Sequence, residues 1–397
     1  MTFSPNNIRD LTNDLSAFLK KNEKRLKRMN QMITGDTDHW IEHDLEYTLD
    51  YLHAYTQTYL SHTQPRKPKG KLCIILSYNE PFILSVVPVL NALVVGNDVT
   101  IRPSSKGYQF VKEIWSNSGI ADDHNLQLKV VKWDQAEIYK HIYKYQCLSF
   151  FGSLVNAKKL AQVCGEHYVE FLPEVEGADV KVAGPGSLEG VSKGLMVRSI
   201  LNEAFSHAGQ TCQRIHGMYV HEKEYEEYLN MFRGDLENEK FLGNNISIDK
   251  VFSEDHIDLL DRDIKDSDPD EVWRSPAFPA VRFVCRPSPG TSFVHNAYFL
   301  PTFWIVPYQS QKDLLGQLRN RTFRLGLNIE SNNRSFIEEI IAKTNYARYT
   351  VNTSHVTIGV SEGWGGHWPT GFGGYKQWID HYSNPYTVVG CDPVGQM

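Results

Sequence analysis

Apolar positions in the first 63 residues recur at intervals of three and four, with Ile41, Leu45, Leu49, Leu52 and Tyr55 on one helical face. The pattern predicts helices up to a short basic linker, Gln64-Pro65-Arg66-Lys67-Pro68-Lys69-Gly70. It then changes: Lys71 to Ser77 is nearly all apolar, as in a strand buried on both faces of a sheet. From there helices are predicted over Pro81 to Val95, Gly107 to Ser118 and Leu154 to Cys164, and strands over Asp98 to Arg102, Leu126 to Lys132 and Cys147 to Phe151. Repeated βα units of this length predict an α/β fold with a doubly wound parallel sheet.

A second α/β region is expected from about Gly177. It holds a helix ending near Phe205, a strand Gly217 to His221, a helix Glu222 to Phe232, and strands Ala280 to Cys285 and Phe303 to Val306. Asp235 to Asp270 is acidic and reads as a surface excursion in loop form. The C-terminal part is rich in Gly and Trp and closes on an apolar strand, Tyr386 to Val389.

With 397 residues the chain is long enough for two or three domains, and its 41% hydrophobic and 22% charged residues are ordinary for a soluble protein. A net charge of −6 gives no general footprint for nucleic acid. The one basic run, Lys20 to Arg28, reads as the solvated face of an N-terminal helix rather than a membrane or nucleic-acid contact. Six cysteines (Cys73, Cys147, Cys164, Cys212, Cys285 and Cys391) form no CxxC pair, as expected of free thiols in a reducing compartment. The opening residues lack an apolar signal core, and the apolar run Phe82 to Val95 falls short of the ~20 residues that span a bilayer. A cytoplasmic protein is expected.

Candidate chemistry centres on Ala208-Gly209-Gln210-Thr211-Cys212-Gln213. A cysteine held by a turn after a helix can open its side chain to a carbonyl and offer its own N–H to an oxyanion, although small buried cysteines are also common in cores. Ser77-Tyr78-Asn79-Glu80-Pro81 ends a buried strand where α/β ligands bind, so Asn79 is either an oxyanion donor or a helix cap. Phe150-Phe151-Gly152-Ser153-Leu154 is a strand, glycine, helix turn able to present free N–H groups to a phosphate, or a plain βα turn. Gly184-Pro185-Gly186-Ser187-Leu188-Glu189-Gly190 departs from a dinucleotide loop in its glycine spacing and reads better as a turn. His39-Trp40-Ile41-Glu42-His43 matches a zinc-protease pattern, but its amphipathic setting favours ordinary helix positions, and no metal is expected.

In this order the motifs resemble the aldehyde dehydrogenase superfamily over roughly Gly70 to Val389. The carriers are Ser77 to Pro81, Arg102-Pro103-Ser104, Phe150 to Ser153, Glu174-Val175-Glu176-Gly177, Gly209-Gln210-Thr211-Cys212 and Gly371-Phe372-Gly373-Gly374-Tyr375-Lys376. The resemblance implies that Cys212 attacks an aldehyde, that Asn79 and the Cys212 N–H hold the oxyanion, and that hydride leaves to a nicotinamide. Glu174 then activates the water that releases the acid. Glu170 and Glu176 share the same segment, and Glu174 is preferred because it puts Gly177 in the second glycine position of the motif.

The resemblance further implies cofactor contacts at Ser77, Tyr78, Arg102, Ser104, Ser105, Gly152, Ser153 and Phe299, the pyrophosphate lying near Gly152 and Ser153. Ser105 stands where NAD-selective members often carry Glu, and Arg102 replaces a usual Lys, so NADP fits as well as NAD. Ala297-Tyr298-Phe299-Leu300-Pro301 lacks the carboxylate that members use for the nicotinamide ribose.

The implied division is 1–67 as an N-terminal helical segment, 68–176 as a dinucleotide-binding domain, 177–355 as a catalytic domain, and 356–397 as a segment with an oligomerisation strand. A homodimer or larger homo-oligomer acting on a small aldehyde or acyl thioester is expected. The alternatives are an acyl-CoA reductase that releases aldehyde, and a non-catalytic member that has lost cofactor binding.

Overall fold

A computed structural model describes residues 4–60, 66–185, 187, 193–247, 250, 252–371, 374 and 376–386. Three helices open the chain: α1 (Pro5–Lys21), α2 (Glu23–Thr34) and α3 (Asp38–Leu60). Ser4 caps α1 by accepting from the Asn7 N–H, and Ile8, Leu11, Leu15 and Leu19 form its buried stripe. Ile41, Leu45, Leu52 and Tyr55 of α3 are buried beside them, with Leu49 half-buried. The basic run lies on the solvated side, where Arg25 pairs with Glu113, and Lys27 with Glu23 and Glu42.

Fourteen strands follow among the described residues: β1 (Arg66–Pro68), β2 (Lys71–Leu76), β3 (Asp98–Pro103), β4 (Leu128–Val130), β5 (Cys147–Phe151), β6 (Glu170–Glu174), β7 (Asp179–Ala183), β8 (Ile215–His221), β9 (Glu271–Arg274), β10 (Arg282–Cys285), β11 (Thr302–Tyr308), β12 (Gly326–Glu330), β13 (Arg348–Val351) and β14 (Ser383–Pro385). One sheet has the order β4-β3-β2-β5-β6 and is wholly parallel. Chain order reverses between β2 and β5, so the crevice at their C-terminal ends is a topological switch point, the usual ligand position in such sheets. The second sheet runs β13-β12-β7-β8-β11-β10-β9, parallel except for β9 against β10. The expected α/β fold with a doubly wound parallel sheet is therefore present.

Two expectations are corrected. The linker is not a bare connection, because its residues Arg66–Pro68 pair antiparallel with Ser383–Pro385. The acidic stretch is not loop-like, since it carries helices Glu239–Asn245 and Glu254–Asp266. Its acidic residues cover the outer face while Leu260 and Ile264 turn inward, a helical period that the charge content obscured. Part of the Gly184 to Gly190 loop, together with Phe372, Gly373, Tyr375 and residues 387–389 of the expected terminal strand, lies outside the described residues.

The segment before Cys212 departs from ordinary helical backbone. His207, Ala208 and Gly209 have φ of 51°, 53° and 81°, three left-handed residues in succession. A side chain costs roughly 1–2 kcal/mol there, and a Cβ on Gly209 would stand 2.3 Å from the Leu300 carbonyl oxygen. Buried charge holds the turn in place. His207 Nδ1 lies 3.1 Å from Asp36 and Nε2 3.5 Å from Asp44, both from the N-terminal helical segment, while Lys250 reaches Asp36 at 2.9 Å. The Trp40 ring lies against the His207 imidazole, tilted by 37° with centroids 4.9 Å apart.

Burial opposes the charge on His207, but the Asp44, Asp36 and Glu80 carboxylates outweigh it and raise the imidazole to about 9. Because this lies above the ordinary 6.5, the stabilisation is complete below that value and is lost as pH rises through about 9. The difference corresponds to about 3 kcal/mol. His207→Gln is expected to lower the unfolding midpoint most near pH ~6, the deficit against wild type shrinking as pH approaches ~9. Thermal unfolding of both proteins across that range measures it, and a deficit independent of pH would remove the ion network as the cause.

Candidate active site

Chain segments from both sheets meet in one cavity of about 930 Å³. The turn after β2 supplies Ser77, Tyr78, Asn79 and Glu80, and Pro81 then opens the helix Pro81–Val94. The turn after β5 supplies Gly152 and Ser153, and β6 ends in Glu174. Cys212 comes from the left-handed turn ahead of β8. Gly177, just past β6, packs so closely on this turn that a Cβ would stand 2.2 Å from the Cys212 carbonyl oxygen. Only glycine permits that approach, which joins the tail of one sheet to the Cys212 segment of the other.

Cys212 is half-buried. Burial pushes its thiol well above the ordinary 9.0, and the carboxylates of Glu80, Asp179 and Glu174 add to the shift. At neutral pH it rests as the thiol. Asn79 is nearly buried, and its amide is oriented by the Ser77 hydroxyl, which donates to Oδ1 at 2.7 Å. That leaves the Nδ2 hydrogens as the outward group, one of them drawn to Glu80 at 3.4 Å.

Glu174 sits in a cradle made by the C-terminal glycines. Its Oε2 accepts from the Gly366 N–H at 3.2 Å, and its backbone bridges to Gly371. Burial pushes this carboxyl well above the usual range, only partly opposed by the Gly366 bond. A carboxylate so desolvated is a stronger base than one in water. Glu170 lies at the opposite end of β6 and pairs with Lys69, away from the cavity.

Tyr78, Gly152, Ser153 and Phe299 line the cavity with Ser77, and Lys106 stands over the Tyr78 ring at 4.6 Å. Arg102, Ser104 and Ser105 do not line it. Arg102 Nε donates to the Trp133 carbonyl at 2.9 Å, Ser104 accepts from the Gly107 N–H at 3.1 Å, and Ser105 is exposed at the neighbouring strand end. Ala297 does line the cavity, with no carboxylate to offer there.

Whether a dinucleotide suits these residues turns on the helix Leu154–Glu166, which begins at the switch point. The Leu154 N–H donates to a carboxylate oxygen of Glu176 at 2.7 Å, so this helix end already holds an anion. The donors fit a phosphate.

Glu80 and His207 stand beyond the candidate residues read from the sequence. Glu80 accepts from the Thr211 hydroxyl at 2.9 Å, tying the Asn79 turn to the residue before Cys212, and burial raises its carboxyl. Its only signal was an acid ahead of a helix-opening proline, which normally means a cap; here the side chain makes no cap bond. Among the described residues no group of three His, Cys, Asp or Glu could hold a metal ion, and no helix is long and apolar enough to cross a membrane.

Known proteins match both the sequence and the shape. The chain is 25% identical over 362 residues to a 4,4'-diapolycopene-4,4'-dial dehydrogenase of Cytobacillus firmus, covering 87% of this chain and 77% of that protein. It is 28% identical over 182 residues to the benzaldehyde dehydrogenase YfmT of Bacillus subtilis, covering 44% of this chain and 36% of that one. Its fold matches an oxidoreductase from Marinobacter aquaeolei with a TM-score of 0.84 at 17% identity, over 98% of this chain and 86% of the other. An NAD-dependent aldehyde dehydrogenase from Sinorhizobium meliloti gives 0.84 at 16% identity, over 99% and 84%. The sequence model of the aldehyde dehydrogenase family matches residues 2–251, which is more than half of the chain and includes the Gly-Gln-Thr-Cys turn, and on that match this chain belongs to the aldehyde dehydrogenase family.

Proposed function

We propose that this protein oxidises an aldehyde to a carboxylic acid through a thioester on Cys212, with NAD or NADP as the acceptor. The observation that carries the reading is the convergence of Cys212, Asn79 and Glu174 on one cavity at the switch point of the parallel sheet. Once deprotonated, the Cys212 sulfur adds to the carbonyl carbon. The Asn79 amide and the Cys212 N–H are the donors available to the oxygen that becomes negative. A nicotinamide dinucleotide, when bound, supplies the acceptor for the hydride whose loss leaves the thioester.

Glu174 takes a proton from water so that the hydroxide can attack the thioester carbonyl, and Cys212 leaves as thiolate. The Gly366 N–H holds the carboxylate in place between turnovers. Tyr78, Lys106, Ser153 and the N-terminus of the Leu154–Glu166 helix are the groups that would hold the dinucleotide. Ser105, outside the cavity wall, carries no charge that would repel a 2′-phosphate, so the reading takes NADP as well as NAD.

Ile33, Leu84, Phe252, Leu259, Leu300 and Trp364 give the cavity an apolar wall. On that wall an apolar or aromatic aldehyde suits the cavity, while the names of the relatives range from a carotenoid dialdehyde and benzaldehyde to succinate semialdehyde. A panel of aromatic, long-chain and anionic aldehydes with each cofactor tests the reading by formation of reduced cofactor and of acid. Absence of both products with every aldehyde would sink it. Release of aldehyde from an acyl-CoA and reduced cofactor, with no acid formed in the forward direction, would replace it by a reductase.

Cys212→Ala is expected to abolish turnover while leaving cofactor binding in place; retained turnover would move the nucleophile elsewhere. Glu174→Gln is expected to slow steady turnover by about 10²–10⁴-fold yet still give one equivalent of reduced cofactor, leaving an acyl adduct visible by intact-protein mass spectrometry. Steady turnover at the wild-type rate would remove Glu174 as the base. Because the Cys212 thiol is raised above 9.0, its alkylation by iodoacetamide should keep accelerating as pH rises through that value, and a plateau near neutrality would contradict the resting thiol.

A further inference from the structure

The helix end that suits a cofactor phosphate is held by a charge of the chain's own. Glu176 lies two residues beyond Glu174, at the mouth of the same cavity, and its Oε2 accepts from the Leu154 N–H at 2.7 Å. Leu154 is the first residue of its helix, and Ser153 is the cap, with its hydroxyl turned to the Asn156 N–H at 3.4 Å. The positive end of the helix is thus divided between a hydroxyl serving inside the helix and a carboxylate entering from the cavity side. A pyrophosphate placed there would meet Glu176 at contact distance, and two anions cannot share one set of N–H donors without repulsion.

We infer that Glu176 is a built-in competitor for the phosphate seat, so that a dinucleotide binds only as this carboxylate gives up the Leu154 N–H. The inference rests on the reading of the cavity as a dinucleotide site and adds a residue that sets its affinity. The segment that carries Glu176 is otherwise pinned: the Val175 N–H donates to the Thr370 carbonyl at 2.8 Å, the Thr370 hydroxyl donates to the Glu176 carbonyl at 3.3 Å, and Gly177 is pressed against Cys212. The backbone therefore stays in place when the side chain swings out. Cofactor entry costs one helix-end hydrogen bond and the relocation of one charge, without disturbing Glu174 or Cys212.

Two variants separate the charge from the contact. Glu176→Gln keeps an acceptor for Leu154 but removes the repulsion, and Glu176→Gly leaves the helix end open. Titration calorimetry with NAD and with NADP, in the absence of aldehyde, is expected to show about tenfold tighter binding in both variants, the size a helix-end anion contributes. The unfolding midpoint without cofactor should fall slightly for Glu176→Gly, which loses a helix cap, and its rise on adding cofactor should exceed that of wild type. Equal or weaker binding by both variants, with wild type binding measurably, would overturn the competition and leave the dehydrogenase reading standing. Binding of neither dinucleotide by any of the three proteins would overturn the dinucleotide site itself and this inference with it.

Discussion

The left-handed turn His207-Ala208-Gly209 is the constraint on which the site depends. It reverses the chain between the helix Lys193–Phe205 and β8, and its direction decides where Cys212 stands. Such a turn does not hold itself, since two of its three residues carry side chains that disfavour it. The compensation is electrostatic and comes from far along the sequence: Asp36 and Asp44 close on a charged His207, with Lys250 balancing Asp36. Buried charges are costly unless paired; Asp36 is held by both His207 and Lys250, while Asp44 faces His207 at the longer 3.5 Å. The N-terminal helices are thereby joined to the Cys212 turn rather than merely packed beside the sheet.

Much of this molecule was legible in the chain, for reasons that also explain what was not. Strands buried on both faces must be apolar throughout, so β2 and β5 stood out, and the turns after them could be placed at strand ends before any geometry was known. Cys212, Asn79 and Glu174 each sit in a short local pattern, which is what makes them candidates in the sequence. Glu80 shares the Asn79 motif without being singled out by it, His207 lies in none of the motifs, and Glu176 shares the motif that singles out Glu174. Their roles arise from contacts with Thr211, Asp36 and Leu154, which are separated from them by 131, 171 and 22 residues, and no periodicity reports a pairing of that kind. The acidic stretch was misread for a related reason: where a helix covers a surface, charge outnumbers the few apolar residues that betray its period.

The charge around Cys212 sets the terms of its chemistry. Glu80, Glu174 and Asp179 all oppose a thiolate, and of these Asp179 is committed elsewhere, accepting from the Gly326 N–H and pairing with His355. A thiol among carboxylates is slow to ionise, which protects it from oxidation and stray alkylation; in the proposed reaction it would depend on substrate or cofactor to complete its surroundings. The same desolvation that suppresses the thiolate strengthens Glu174 as a base. In the proposed reaction one physical cause, exclusion of water by the cavity walls, would therefore work against the first step and in favour of the last.

That opposition makes sense of the anionic residues at the cavity mouth. A doubly wound sheet concentrates helix ends and strand ends at its switch point, and a positive potential there serves an anionic ligand. Leaving those N–H groups bare in the free protein would mean unpaired donors in a partly dry cavity, each costing about 1–3 kcal/mol. Glu176 satisfies the Leu154 donor while the site waits, much as Glu80 satisfies Thr211 beside the nucleophile. An active site must be stable empty and still yield to its ligand. A side chain on a pinned backbone meets both requirements, because it can be displaced without moving the residues that carry out the chemistry.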